Sequence, residues 1–423
     1  MTGSGATEPQ RSPSNGKSMS DTSKERVLQI LETYLPLIGG AEFHLHYLTQ
    51  NLIAQGYQVE IVTGQTDGPV EHQDICPVHR LPHAVGRRAA PYVGLWLIRF
   101  MILFRRFDLI HVHHSSFLAF VAVIAGRLTG RPVVLTLHGL GALDSSVGRC
   151  PIRTLYRRVS LRGATRIIAT SDELLAVALR FVPPERVVEV TNGVDTTQFA
   201  PATPRDFEGV ASHLRLVTLR RLNPKNGVQF VIDALAAAGP RLAAQLRIVG
   251  DGPLRPAIEA AVAAHRLGDR VRFEGFLSHR QVTPLLDACD VALFLSTAES
   301  TSLAALECMA KGCLVVCSNA GAFPRFIRDG ETGFIVPLFI EGQSDYDAPP
   351  HLEPWQATRV AETLMAIQAM PPAQLRRMAE RAREEVRTRF DWSAITARTI
   401  AEVYHHPSVR VRHHPSVQDT AKS

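Results

Sequence analysis

The chain has few cysteines, no apolar run long enough for a membrane span and no dense run of charge. Six cysteines in 423 residues are too few for a disulfide framework. The strongly apolar stretch PYVGLWLIRFMILFRRF, residues 91–107, is too short to cross a bilayer and is interrupted by Arg99. Residues 1–23 are rich in Ser, Thr, Gly and Pro and lack the apolar segment of a secretory signal. We therefore expect a cytoplasmic protein without transmembrane helices.

The net charge of +6 is modest, and no basic run resembles a nucleic-acid-binding arm, so nucleic acid is not an expected partner. Between residues 149 and 166, however, six arginines occur without an acid, at helical spacing. Such a basic face is either simply solvated or contacts anionic lipid or a phosphorylated acceptor. Residues 91–107 are either a buried helix packed on a sheet or an interfacial segment. Peripheral membrane contact therefore stands as an alternative to ordinary solvation.

Strands and helices alternate in two runs, which predicts an α/β fold with parallel sheets. Residues 26–31, 41–55 and 57–63 read as a strand, a helix and a strand, and further strands are expected up to residue 190. A second α/β run begins at Leu214, after a stretch rich in Pro and Ala. The expected divisions are a disordered leader (1–23), a first domain (24–200), a linker (201–213), a second domain (214–388), a helix crossing back to the first domain (389–404) and a disordered tail (405–423).

The stretch DVALFLSTAESTSLAALECMAKGCLVVC, residues 290–317, predicts a strand, a loop, a helix and a strand. A helix that begins just after Glu299 would aim free backbone N–H groups and its positive dipole end at an anion. Glu307 lies roughly 8 Å further along the helix, so an anion and a polyol could be held a diphosphate-to-ribose distance apart. Two solvated glutamates are the simpler interpretation. The position between two apolar strands, where crevices form in parallel sheets, favours a ligand site.

Histidines follow two of the predicted strands of the first domain. His111, His113 and His114 could suggest a zinc site, but no carboxylate or thiol lies close by in sequence. A single histidine at the carboxyl end of a strand is the better candidate for contact with a ligand, and His138 fits this description.

Three other patterns could suggest metal and are assigned to structure or loop composition. Cys308, Cys313 and Cys317 fall on a helix and a strand, where small buried thiols are common. Asp345-Tyr346-Asp347 resembles the Asp-x-Asp of metal-dependent sugar transferases but lies in a loop. The repeated HHPSV of the tail is typical of low-complexity disorder. We therefore expect no metal site.

Two loops have the composition of a phosphate site. Arg221 and Lys225 lie in a loop that follows a strand, and both are phosphate ligands by type, although such pairs also serve solubility. The glycine pair Gly39-Gly40 permits close approach of the backbone to a ligand, or forms an ordinary tight turn.

Nine segments between residues 27 and 404 together resemble the retaining glycosyltransferases of family 4, glycosyl transferases group 1. In order, they are PLIGGAEFHLHYLTQNLIAQGYQVEIVT, FDLIHVH, VVLTLHG, TNGVDTTQF, RRLNPKNGV, LRIVGDGP, VRFEGF, ESTSLAALECMAKGCLVV and DGETGFIVP. The resemblance implies the GT-B fold, in which two Rossmann-like doubly wound domains face an interdomain cleft.

By this resemblance, Gly39-Gly40 would bring the backbone to the donor phosphates, and the remaining residues would bind the sugar, diphosphate and ribose. The catalytic residues that it implies are His138, Arg221, Lys225 and Glu299. The further donor-binding residues that it implies are Gly250, Ser300, Thr301, Ser302, Leu303 and Glu307. It also implies a UDP- or GDP-linked sugar donor, no cofactor, no metal, and attack on the same face as the leaving group.

The implied acceptor is a hydroxyl of a cell-envelope lipid, a polysaccharide or a small molecule. Four departures from the family pattern leave alternatives open. Lys225 follows Arg221 at a shorter spacing than usual, Ser-Thr-Ser replaces Gly-Phe-Gly after Glu299, Arg325 replaces a glutamate and Thr191 replaces a proline. A nucleotide-sugar epimerase or hydrolase of the same architecture, and a nucleotide-sugar-binding protein without activity, are the alternatives.

Overall fold

Short aliphatic runs form two separate β-sheets, and every strand pair in both sheets is parallel. The computed structural model describes residues 25–35, 40–64, 74–81, 93–138, 151–299, 301–339, 349 and 351–409. The first sheet contains β1 (Arg26–Ile30), β2 (Gln58–Gly64), β3 (Val78–Leu81), β4 (Leu109–His113), β5 (Val133–Leu137), β6 (Arg166–Ala169) and β7 (Val187–Glu189). The second contains β8 (Leu214–Leu219), β9 (Ala244–Val249), β10 (Val271–Gly275), β11 (Val291–Phe294), β12 (Leu314–Ser318) and β13 (Phe334–Val336).

Helices connect most of the consecutive strands. In the first domain they are α1 (Gly40–Ala54), α2 (Val93–Phe104), α3 (Phe117–Thr129), α4 (Pro151–Gly163) and α5 (Asp172–Leu179). In the second they are α6 (Val228–Ala238), α7 (Arg255–Ala264), α8 (His279–Asp287), α9 (Leu303–Ala310), α10 (Phe323–Phe326), α11 (Pro354–Ala369) and α12 (Pro372–Arg389). The last helix, α13 (Trp392–Thr399), continues into a π-helical turn, Ile400–Tyr404.

Alternate residues of the first sheet enter two separate cores. Leu28, Ile30 and their neighbours on the other strands pack under α2, α3 and α4. Val27, Val134 and Ile168 point to the opposite face, where α1 and α13 cover them. The sheet is therefore covered by helices on both faces, as its continuous apolar strands require.

The chain returns to the first domain after α12. The Trp392 ring lies 5.0 Å from the His44 ring and 5.7 Å from the Tyr47 ring of α1. The Tyr404 hydroxyl makes a 2.7 Å hydrogen bond with Nδ1 of His111 on β4. Buried aromatic contacts thus attach the C-terminal helix to the first sheet.

Both sheets have a crevice where the strand order reverses. The orders are β3-β2-β1-β4-β5-β6-β7 and β10-β9-β8-β11-β12-β13. Connections therefore diverge between β1 and β4 and between β8 and β11, and ligands of open α/β sheets bind beyond the carboxyl ends of strands at such points.

The predicted α/β class with two doubly wound sheets is confirmed, whereas several element predictions were wrong. β3 lies inside residues 65–90, which the sequence suggested were irregular, and α3 and α5 were not predicted. α2 was expected to be buried, but one side of it is exposed. None of the helices in the described ranges combines the length and the apolarity that crossing a membrane requires. Predictions for the leader, Arg149, Asp345-Tyr346-Asp347 and residues beyond 409 lie outside the described residues.

Candidate active site

The loop between β11 and α9 places the start of α9 at the carboxyl edge of the second sheet. Ser302 caps this helix, because its hydroxyl accepts a hydrogen bond of 3.4 Å from the backbone N–H of Ala305. The side chain of Ser302 is therefore engaged in starting the helix. The backbone N–H groups and the positive dipole end of α9 remain the features with which this element can attract an anion.

A cavity of about 360 Å³ lies between α1 of the first domain and α9 of the second. Gly40, Arg221, Leu303 and Glu307, all predicted from the sequence, line this cavity. Its other walls include the aromatic residues Phe43, Tyr47, Phe199 and Trp392. A few polar groups converging in a largely aromatic pocket of this size are typical of a small-molecule site.

Glu307 is the titratable group of this cavity with a strongly shifted equilibrium. Burial raises the pKa of Glu307 to about 7. Burial likewise raises the pKa of the neighbouring Tyr47, with the charges of Asp195 and Glu307 as smaller causes. A carboxyl group that titrates near neutral pH inside a cleft is a candidate for ligand binding.

Glu299 lines a second, larger cavity of about 740 Å³, also between the domains. Glu173 and Arg325 share this cavity with it. Burial raises the pKa of Glu173, the charge of Glu299 raises it further, and the charge of Lys225 lowers it. Lys225 and the two glutamates thus face one another across the cleft.

Arg220, which was not predicted, is the ion-pair partner of Glu299. Its Nη2 donates to the Glu299 carboxylate and, at 2.9 Å, to the Ser296 hydroxyl, while its guanidinium lies 4.9 Å from the centre of the Phe294 ring. Both charged side chains are about nine-tenths buried. The pair joins the ends of β8 and β11, so it occupies the crevice where the strand order of the second sheet reverses.

Two consecutive arginines after β8 thus have separate environments. Arg221 is exposed and lines the cavity of Glu307, whereas Arg220 points to Glu299. The alternation of side chains along a strand could have signalled this division. Sequence reasoning selected Arg221 alone because the family pattern marks that position.

Gly250 supports the end of β8 and does not itself line either cavity. Its φ is +129°, and a Cβ atom there would lie 1.9 Å from the carbonyl oxygen of Arg220. Only glycine permits this approach of the two strand ends. The structure therefore gives Gly250 a packing role in positioning the two arginines.

A buried histidine cluster forms the corresponding edge of the first sheet. The ring of His113 donates to Gln29 (2.6 Å) and shares a 3.1 Å hydrogen bond with Nε2 of His138, while His44 bonds to Asn192 at 2.8 Å. Burial lowers the pKa of His44 to about 4 and the pKa values of His113 and His138 well below the ordinary value. These rings are therefore neutral hydrogen-bonding groups at pH 7.

His44, His113 and His138 are also the residues that could hold a metal ion in the described part of the chain. One ring nitrogen of each lies within 4.8 Å of the others. The hydrogen bond between His113 and His138 already joins two of the rings, and a metal would have to displace its proton. The three rings are therefore engaged with one another and with neighbouring amides.

Two groups of contacts hold the domains together across the cleft. Thr301 donates to the carbonyl oxygen of Thr170 (3.2 Å) and shares a hydrogen bond of 3.0 Å with the Thr191 hydroxyl. Arg325 forms ion pairs with Asp172 and Glu189 of the first domain. The sequence departures at positions 191, 301 and 325 therefore meet in contacts between domains.

The structure brings some of the predicted site residues together and separates others. Gly40, Arg221, Leu303 and Glu307 share the smaller cavity, and Glu299 lies in the larger one. His138 is buried in the histidine cluster. Gly39 and Ser300 lie outside the described residues. The functional roles of all these residues remain predictions.

Comparison with known proteins agrees with this architecture. The model of Glycosyltransferase Family 4 matches residues 38–198, and that of Glycosyl transferases group 1 matches residues 213–341. The chain is 29% identical over 384 residues to the phosphatidyl-myo-inositol mannosyltransferase of Mycobacterium tuberculosis, covering 86% of this chain and 93% of the relative. It is 30% identical over 326 residues to a human phosphatidylinositol N-acetylglucosaminyltransferase, covering 73% of this chain and 65% of the relative.

A solved structure, Anabaena Alr3699/HepE in complex with UDP and glucose, has the same fold. It superposes with a TM-score of 0.68 at 22% identity, covering 88% of this chain and 98% of the Anabaena chain. The two family models together match more than half of the chain, and they divide it as the two sheets do. The chain therefore belongs to glycosyltransferase family 4 and has the GT-B fold.

Proposed function

We propose that this protein is a cytoplasmic, retaining and metal-independent glycosyltransferase that moves a hexosyl unit from a nucleotide-sugar donor to an acceptor hydroxyl. The observation that carries the proposal is the smaller cavity, where Gly40, Arg221 and Glu307 meet at the start of α9. It combines close backbone approach, a cation, a helix dipole and a carboxyl group. These are the features that the diphosphate and the ribose of a nucleotide require.

In the proposed donor complex, the diphosphate lies at the start of α9. Arg221, Lys225 and the helix dipole would stabilise the negative charge that develops on the departing nucleotide. Glu307 would accept hydrogen bonds from the ribose hydroxyls. Hydroxyl donors favour the ionised carboxylate, so nucleotide binding should lower the pKa of Glu307.

At the sugar end, Glu299 and His138 would contact the transferred hexose. The acceptor oxygen forms a bond with the anomeric carbon as the bond from that carbon to the diphosphate oxygen breaks, and the acceptor proton passes to the diphosphate. Both events occur on one face of the sugar, so no carboxylate nucleophile is needed, in contrast to retaining glycosidases. His138 would act as a neutral hydrogen-bonding group, since its pKa is lowered well below the ordinary value.

The acceptor we propose is a hydroxyl on a lipid-linked polyol, with polysaccharide and small-molecule acceptors as alternatives. Two relatives are named for phosphatidylinositol and phosphatidyl-myo-inositol. The larger cavity, which contains Glu173 and Glu299, has room for such a headgroup beside the donor sugar.

Nucleotide binding tests the donor site without knowledge of the acceptor. We expect one of UDP, GDP or ADP, or a conjugate with a sugar, to raise the melting temperature in EDTA, because a ligand at a hundred times its Kd adds about 2.7 kcal/mol. Glu307→Ala should abolish this shift. Glu362→Ala, on α11 away from both cavities, is the matched control and should leave it unchanged. A preserved shift in Glu307→Ala would contradict the site assignment.

The buried pair of Arg220 and Glu299 favours a second candidate, a nucleotide-sugar-binding protein without transfer activity. The carboxylate that would orient the donor sugar is already neutralised by an arginine. Tight nucleotide binding together with no transfer and no release of free sugar, over a panel of lipid and polyol acceptors, would select this candidate. Transfer of the sugar to any of these acceptors would reject it.

A further inference from the structure

The outer side of the α2, α3 and α4 layer has a composition unlike the rest of the surface. These three helices cover the face of the first sheet opposite α1 and α13. α3 lies between the other two, and the rings of Phe117 and Phe120 contact the Tyr156 ring of α4 at 5.6 and 4.8 Å. The layer is therefore a continuous, packed surface whose outward side is open.

α2 carries apolar side chains on both its inner and its outer side. Trp96, Phe100 and Phe104 are buried against the sheet core. Leu95, Ile98 and Ile102 form a second stripe and are 55%, 58% and 65% exposed. A water-facing helix normally has a polar outer face, so this second stripe indicates an apolar environment outside the domain.

The neighbouring helices extend this apolar surface. Leu128 of α3 and Ile152 and Leu155 of α4 are also more than half exposed. Six of the eleven large apolar side chains that are exposed in the described ranges therefore lie on these three helices. We call the outward side of α2, α3 and α4 the arginine-aliphatic face.

Arginines surround these aliphatic side chains. Residues 75–171 contain fourteen arginines, no lysine and only two acidic residues, Asp108 and Asp144, so this segment carries +12 in a chain of net charge +6. Asp108 accepts from the backbone N–H of Arg26 and lies 3.9 Å from Arg131. Glu60 of β2, 3.6 Å from Arg106, is a further acid near α2.

Several of these arginines are exposed beside the aliphatic residues. They are Arg99, Arg105 and Arg106 at α2, Arg127 on α3, and Arg153, Arg158 and Arg162 on α4. Arginine can lay its aliphatic stem along an apolar surface while its guanidinium contacts phosphate. Large aliphatic side chains flanked by guanidinium groups match the acyl boundary and the phosphates of an anionic bilayer.

The orientation of the layer connects it to the cleft. In a parallel sheet, each crossover helix begins near the carboxyl edge of the preceding strand. Leu95, Ile152 and Leu155 lie near the starts of their helices, and His113 and His138 lie at that edge of the sheet. A surface seated on the face would adjoin the first-domain side of the cleft.

We propose that the arginine-aliphatic face binds the surface of a bilayer that contains anionic phospholipids. This inference rests on the surface alone and does not depend on the proposed transfer reaction. The bilayer is favoured over nucleic acid because the large aliphatic residues have no role in phosphate-backbone contact. It is favoured over an acidic protein because bare aliphatic stripes on two helices add apolar burial to charge attraction.

Flotation of the full chain with lipid vesicles tests the proposal. We expect the protein to float with vesicles of phosphatidylcholine and phosphatidylglycerol in equal parts, and not with phosphatidylcholine alone. Raising the ionic strength should weaken the binding, because the attraction between guanidinium groups and lipid phosphates is screened. Equal flotation with both kinds of vesicle, or with neither, would overturn the proposal.

The paired substitution Ile98→Glu and Ile102→Glu locates the contact. It should reduce the fraction floated at least about ten-fold, because the buried apolar area is lost and charge is reversed. Trp355→Glu, at a residue that is 56% exposed on α11 of the second domain, is the matched control and should float normally. Melting temperatures should match the parent in both variants, since the replaced side chains are exposed.

Two further measurements separate the proposal from its competitors. Nucleotide-induced stabilisation should be unchanged in the paired variant, so that loss of flotation is not loss of the donor site. If sedimentation instead shows a dimer that the paired variant abolishes, the face joins two copies of the chain and the bilayer proposal fails. Flotation unaffected by the paired variant would also contradict it.

Discussion

Arg220 and Arg221 are adjacent in sequence but differ in the medium that surrounds them. Arg220 is nine-tenths buried against Glu299 and Phe294, whereas Arg221 is exposed at the cavity of Glu307. The interaction of a buried charge depends on its partner, because desolvation is costly unless the charge is paired. The same residue type therefore has a structural task at one position and, we propose, a ligand-binding task at the next.

Replacing each arginine by alanine should separate these tasks. Arg220→Ala leaves the Glu299 carboxylate buried without its partner and should lower the free energy of unfolding by about 3 kcal/mol. Arg221→Ala should change stability by less than about 0.5 kcal/mol and weaken nucleotide binding. Melting curves with and without nucleotide measure both effects.

The control is the double variant Arg220→Ala with Glu299→Gln. It should be more stable than Arg220→Ala alone, because no unpaired charge remains in the crevice. Equal stability of the single and the double variant would show that the ion pair contributes nothing to the fold.

Glu307 links stability to pH. Its pKa in the folded protein is about 7, above the ordinary value of 4.5, so the folded state binds the proton more tightly than the unfolded state. The stability that this proton contributes is fully present below about pH 4.5 and is lost as the pH rises through about 7. Glu307→Gln should therefore melt close to the parent at pH 5 and above it at pH 8, by roughly 1–3 kcal/mol.

Melting temperatures of the parent and of Glu307→Gln across this pH range provide the measurement. Glu362→Gln, a glutamate on α11 remote from the cleft, controls for loss of one negative charge. A difference between parent and variant that stays constant from pH 5 to pH 8 would mean that Glu307 titrates normally.

At the scale of elements, the carboxyl end of β8 is positioned by its contact with the end of β9. Gly250 follows β9, and its missing side chain permits the carbonyl oxygen of Arg220 to approach. Gly250 itself donates to the carbonyl oxygen of Gly275 at 2.7 Å. One turn thus aligns three strand ends at the edge where the donor would bind.

Gly250→Ala should disturb this edge as a unit. The added Cβ would meet backbone 1.9 Å away at a φ of +129°, so we expect a loss of roughly 2–3 kcal/mol and weaker nucleotide binding together. Gly268→Ala, where no atom lies within 4 Å of the added Cβ, is the control and should be neutral. Calorimetry and nucleotide titration of both variants provide the test, and a neutral Gly250→Ala would contradict the packing argument.

At the scale of the whole molecule, the relative position of the two domains depends on polar contacts across an open cleft. Arg325 bridges to Asp172 and Glu189, and Thr301 bridges to Thr170 and Thr191. Arg325 is partly exposed, so each ion pair is worth at most about 1 kcal/mol. Such contacts can bias closure of the domains while contributing little to the stability of either.

Arg325→Ala should therefore open the cleft without unfolding the protein. We expect a larger radius of gyration in small-angle X-ray scattering, with a melting temperature near that of the parent. Arg328→Ala removes ion pairs to Glu331 and Glu385 inside the second domain and should leave the radius unchanged. An unchanged radius in Arg325→Ala would show that other contacts determine closure.

Local patterns predicted much of the fold and the position of the candidate donor site. Apolar runs and helical spacing marked most strands and helices, because a parallel sheet buries both faces of its strands. They failed at β3, whose side chains are only partly buried, and at α3, which is apolar on nearly all sides and lacks a helical period. The spacing of Glu299 and Glu307 located the loop and helix where both cavities meet.

The sequence by itself determined the α/β class, the family and the residue types available at the cleft, because all of these are carried by short segments. Only the tertiary structure decided which of them meet. It paired Arg220 with Glu299, placed Glu307 and Glu299 in separate cavities, and gathered aliphatic residues and arginines from three helices into one face. Those outcomes depend on contacts between residues distant in the chain, which no local period encodes.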